Sequence, residues 1–233
     1  MTKRGTRFRG PSLIFLAAAH VLVFAASLIS AVALRHGASF LTPFSPADQL
    51  RDFFSQNPTA VRVSNFFLFG SAVPFGIFAV TAVSRLRFYG VRAAGTNIAL
   101  FGGVSAALSL VFSGIAGWAL SVPEVSASAV AVKAIYFLSF LSGGVFYAVG
   151  FGLLAAGISI TSYFTRLLPA WLAGLGMLLA LTGEFSSLSL IAYPANFLIP
   201  FTRFVGFLWM LAAAVVLSKD RRVTGGSAIT NSL

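Results

Sequence analysis

The stretch Leu167–Ile191, "LLPAWLAGLGMLLALTGEFSSLSLI", carries a single ionisable side chain, Glu184, in 25 residues. Crossing about 30 Å of hydrocarbon as a helix takes roughly 20 predominantly apolar residues, whereas a barrel strand needs about ten that alternate. This run is long and continuously apolar, so it reads as a membrane-spanning helix.

Five further runs of the same kind flank it. Together the six cover about 12–34, 61–84, 97–120, 132–158, 167–191 and 198–217. The chain is 58% hydrophobic and only 9% charged, whereas about a quarter of a soluble domain's residues are charged. The expected fold is therefore all-α: a polytopic transmembrane bundle of six helices in one domain, residues 1–222, with a loose polar tail over 223–233. A first run this long exceeds the 7–15-residue core of a secretory signal and is read as an uncleaved first span.

Orientation follows from Lys and Arg in the connections. One side collects Lys3, Arg4, Arg7, Arg9, Arg85, Arg87, Arg92, Arg166, Lys219, Arg221 and Arg222; the other has Arg35, Arg51, Arg62, Lys133 and Arg203. Both termini are expected in the cytoplasm. The net charge of +11 is scattered between apolar runs rather than gathered on a polar domain, which argues against nucleic acid as a partner.

Between spans 1 and 2, Ser45-Pro46-Ala47-Asp48 reads as a helix cap followed by a proline at the first helical position. A short interfacial helix on the outer side should follow, with Leu50, Phe53 and Phe54 on one side. Asn57-Pro58 repeats the signal at the start of span 2. Gly102, Gly103, Ala106, Ser109, Ser113 and Gly117 form a small-residue row in span 3, read as a close-packing face. Gly143-Gly144 in span 4 reads as the same, or as a local break, and Pro74 should kink span 2.

No cysteine is present, so disulfides, thiolate metal sites and cysteine nucleophiles are excluded. None of the HExxH, Walker A, dinucleotide-binding or GxSxG motifs occurs, and no cofactor or metal site is implied. His20 and His36 are about 24 Å apart along span 1 and cannot act together. His20 alone is a candidate lone ligand or proton relay, the alternative being one hydrogen bond to a neighbouring helix.

The intramembrane charges are more informative. Glu184 and Arg203 both fall roughly 7 Å to the outer side of their spans' midpoints, on consecutive helices joined by a short turn. A buried charge is costly without a partner, so the two are expected to pair, either as a dry clasp or as a ligand site open to the outer face. Asn65, Lys133, Thr182, Ser186, Ser187 and Thr202 are candidates to line such a cavity. Arg85, Arg87 and Arg92 form a basic rim suited to lipid headgroups.

The segments "FFLFGSAVPFGIFAV…SRLRFYGVRAAGTNIALFGG", from Phe66, and "LLPAWLAGLGMLLALTGEFSSLSL…FLIPFTRFVGFLWMLAAAVVL", from Leu167, resemble a group of small bacterial six-helix membrane proteins of the domain-of-unknown-function 4386 type. The resemblance implies a multi-pass protein of a bacterial inner membrane and transfers no active-site residue. The sequence is read as non-enzymatic, foremost an accessory subunit of a larger membrane complex. A small transporter or ligand-binding bundle is the alternative, and an intramembrane enzyme the third. The expected partners are the lipid bilayer and other membrane subunits.

Overall fold

The computed structural model describes residues 10–37 and 41–219. Lys3, Arg4, Arg7, Arg9, Arg221, Arg222 and the 223–233 tail lie outside the described residues. Among those described, the regular structure is entirely helical, and six helices are long and apolar enough to cross a membrane. The protein is a multi-pass membrane protein.

Span 1 is α1 (Leu13–Ala33), started by Ser12, whose side chain accepts from the Phe15 amide. Then comes α2 (Ala47–Gln56), which buries Leu50 and Phe54 against Val61, Leu120 and Val132. Arg51 on its exposed side meets Asp48 and Asp52 at 3.4 and 2.9 Å. Ser45 does not cap α2: its hydroxyl accepts from the Thr42 amide instead, closing the turn before Pro46. Span 2 is α3 (Pro58–Phe88), starting at the expected proline. Asn57 latches rather than caps, donating to the Phe53 carbonyl (2.8 Å) and accepting from the His36 amide.

Span 3 is α4 (Ala94–Ala119), and a single turn, α5 (Pro123–Ser126), leads to span 4. That span is split. It consists of α6 (Ala129–Leu141), a π-helical turn at Ser142–Phe146 and α7 (Tyr147–Phe164). Span 5 is α8 (Ala170–Phe185), tightening to a 3₁₀ turn at Ser186–Leu190. The hydroxyls of Ser186, Ser187 and Ser189 each donate to a carbonyl three residues back, at 2.6 Å, competing with the α-helical ladder. A second 3₁₀ turn, Tyr193–Phe197, precedes span 6, α9 (Leu198–Ser218).

Consecutive spans pack side by side, and α9 returns against α1 to close a ring. The small-residue row of α4 is taken up inside this ring. Gly103 faces Ala79 of α3, and Gly102 faces the backbone of α7 at Gly150 and Leu154. Lipid offers no hydrophobic drive between helices, so this close approach is itself a source of cohesion. At the end opposite α2, Arg85 is buried and donates to the Leu217 carbonyl (2.7 Å), while the Tyr89 hydroxyl reaches the Lys219 carbonyl (3.2 Å). Arg85 therefore belongs to the bundle rather than to a headgroup rim, because the last turn of a helix leaves carbonyls that attract a cationic donor.

Candidate functional site

The middle of the bundle holds a polar cluster drawn from spans 1, 4 and 6. Its centre is Arg203. One terminal nitrogen of the guanidinium donates to the Gly143 carbonyl in the π turn. The guanidinium carbon lies 4.7 Å from the centre of the Tyr147 ring and 5.2 Å from that of Phe24. A cation between aromatic faces is attracted by their quadrupoles, by about 0.5–2 kcal/mol per contact. No carboxylate among the described residues joins it.

The π turn makes this arrangement possible. Ser113 of α4 and Ser139 of α6 exchange hydroxyl-to-carbonyl hydrogen bonds at 2.8 and 3.0 Å just before it. Gly143 lies directly against the Ser113 hydroxyl, where a Cβ would collide. An inserted residue in a helix displaces the local ladder and re-aims a carbonyl, which here meets Arg203. Tyr147 follows Gly143 by four residues and so shares its face.

His20 closes the cluster from α1. It is fully buried, its Nδ1 2.9 Å from the Ser71 carbonyl and its ring among Phe24, Phe75 and Phe207. Because a carbonyl only accepts, Nδ1 carries the proton, leaving Nε2 of the neutral ring as an acceptor. Ser71 lies three residues before Pro74, in the turn whose ladder the proline interrupts. Among the described residues no three metal-ligating side chains come together.

Three buried polar atoms in this cluster have no hydrogen-bond partner among the described residues: Arg203 Nε, the Tyr147 hydroxyl and His20 Nε2. Buried polar atoms are ordinarily satisfied by protein or ordered water, so this neighbourhood is the candidate place for a bound water or ligand.

The expected Glu184–Arg203 pair does not form. Thr202 donates to the Thr182 hydroxyl (3.0 Å), and this contact fixes how α8 faces α9. Glu184 is two residues beyond Thr182, about 200° around the helix, and is exposed on the far side of α8. Arg203 is one residue beyond Thr202 and turns into the ring. Their depths match and their directions do not. Glu184→Gln is therefore expected to leave the thermal midpoint unchanged and to combine additively with changes at Arg203, within about 0.5 kcal/mol; a larger coupling in a double-mutant cycle would restore the pair.

The other candidates disperse. Ser186 is buried and Ser187 exposed, each bonded to its own helix. Lys133 is half-buried near the start of α6. Asn65 donates to the Val61 carbonyl (2.8 Å) and lines a pocket of about 200 Å³ beneath α2. Arg87 donates to the Asn97 side chain (2.6 Å), and with Arg92 lines a cavity of about 420 Å³ at the opposite end. Sequence reasoning missed Tyr147 and Phe24; a tyrosine hydroxyl four residues from a Gly-Gly break was the available signal.

No family model matches the chain, and no curated protein or solved structure matches it.

Proposed function

We propose that the protein is a small transporter-like bundle that binds a small anionic solute at Arg203, in a bacterial inner membrane with its α2 end outside. The excess of Lys and Arg at the end opposite α2 supports that orientation. One observation carries the reading: among the described residues an arginine inside the ring has no acidic partner, while its Nε and the neighbouring Tyr147 hydroxyl lack acceptors. An uncompensated charge in a span costs about 2.5–3.5 kcal/mol on insertion scales. A carboxylate, phosphate or halide would supply the missing negative charge and accept from both donors.

An accessory subunit is favoured by the small chain, the lack of a redox or hydrolytic constellation and the small-residue packing surfaces; of these, Gly102, Gly103 and Gly150 are taken up within the chain itself. Weight therefore moves to ligand binding. The test is thermal unfolding of the full chain in nanodiscs, titrated with chloride, acetate or inorganic phosphate at constant ionic strength made up with gluconate. At least one should raise the midpoint saturably, by linkage to the folded state. If none does, the anion reading fails.

A further inference from the structure

We infer that the pocket beneath α2 is the outer access site of the Arg203 centre, admitting the small anion, and that the Phe24 ring is the barrier between them. This rests on the anion reading and the orientation proposed above. The pocket, about 200 Å³, opens under the aromatic side chains of Phe53 and Phe54, with Arg35, Ser64, Asn65 and Tyr136 as its polar wall. That volume admits a small anion with accompanying water.

From the pocket a polar stripe descends along α1. Ala31 lines the pocket, and Ser30, Ser27, Phe24 and His20 continue its wall at helical spacing, all buried. Across on α3, Ser64 and Ser71 are also buried and stand seven residues apart on one face. These hydroxyls now bond to their own helices, at 2.6 Å for Ser30 to Ala26, 3.1 Å for Ser64 to Val61 and 2.7 Å for Ser71 to Leu68. A hydroxyl proton can swing toward a passing acceptor, so the stripe is stable when dry and usable when occupied.

Ala31 stands about 10 Å above Phe24 along α1. Below that wall the Phe24 ring packs on the guanidinium, its centre 5.2 Å from the Arg203 carbon and 5.1 Å from the Phe207 ring. Arg35 at the mouth and Arg203 at the floor place a positive charge at each end of the route, with Arg51, Asp48 and Asp52 on the exposed side of α2. Such a field concentrates anions and rejects cations.

The absence of native cysteine makes the test direct. Single cysteines replace Ser64, Ser71 and the lipid-facing Leu28 in the full chain, and a membrane-impermeant thiol reagent is applied to the outside of intact cells. Ser64→Cys is expected to react roughly tenfold faster than Leu28→Cys, since modification follows solvent access and thiolate formation. It should slow in the presence of whichever of chloride, acetate or phosphate raises the wild-type midpoint. Ser71→Cys, level with His20 on the far side of the Phe24 ring, should react only when combined with Phe24→Leu.

Equal, slow modification of Ser64→Cys and Leu28→Cys would overturn the access site, as would a Ser64→Cys rate indifferent to the stabilising anion. If an anion stabilises the wild type while Ser64→Cys stays silent, the binding centre stands and this route to it falls. If no anion stabilises the wild type, both fall.

Discussion

Gly150→Leu is expected to remove most of the folded chain, whereas Gly174→Leu, also within a span, leaves it intact. Gly150 lies where α7 crosses α4 at backbone contact. A Cβ there would stand 2.8 Å from the Ala106 nitrogen and 3.0 Å from the Gly102 oxygen. Neither atom belongs to a side chain that can rotate away, so the two helices must separate. In soluble cores, overpacking of this kind costs about 1–3 kcal/mol, occasionally more. Here the same displacement also opens the rest of a close-packed seam, because Gly102 and Gly157 make still closer backbone approaches along the α4–α7 line. The bilayer offers no compensating hydrophobic drive between the separated faces. At Gly174 nothing lies within 4 Å of an added Cβ, and the new side chain points into open space. Monodisperse yield in mild detergent and the thermal midpoint measure the contrast; equal behaviour of the two variants would mean that the α4–α7 seam is not where cohesion resides.

Arg203→Leu has a different signature. Removing the cation forfeits its hydrogen bond to the Gly143 carbonyl, about 1.5–3 kcal/mol for a charged donor, and two aromatic contacts. It also removes the cost of holding that charge in the membrane, about 2.5–3.5 kcal/mol. The two sides nearly cancel, so ligand-free stability should change little, as when buried ion clusters are replaced by apolar residues. The large effect appears with the anion. At a hundred times its Kd the ligand stabilises the wild type by about 2.7 kcal/mol, and Arg203→Leu should lose that whole increment. A structural arginine would behave in the opposite way, lowering the midpoint with and without anion alike.

The six spans were legible because the bilayer sets a length that composition alone can meet. The reading of Glu184 failed for a definite reason. Residue number along a helix gives depth, but direction around the axis requires a polar and an apolar side, and a span with lipid outside and packed apolar residues inside offers almost no such contrast. Thr182 and Thr202, not the two charges, mark the α8–α9 contact. Arg203 finds a backbone carbonyl, an acceptor that every residue carries and no side-chain pattern reveals. The Gly143-Gly144 pair did announce an irregularity; that it takes the form of an added residue, re-aiming one carbonyl and placing Tyr147 beneath the guanidinium, depends on the Ser113–Ser139 exchange with a neighbouring span. Arg85 was misplaced because a cation near a helix end serves headgroups and helix carbonyls equally well, and only the return of α9 decides between them.

The central claim is that Arg203 of span 6, bonded to the π turn of span 4, is an anion receptor. Anomalous scattering from bromide in crystals of the full chain tests it most directly. The expected result is an ordered bromide in contact with Arg203 Nε and the Tyr147 hydroxyl. Bromide confined to the exposed arginines Arg87 and Arg92, or a Glu184 carboxylate seated on the Arg203 guanidinium, would contradict it.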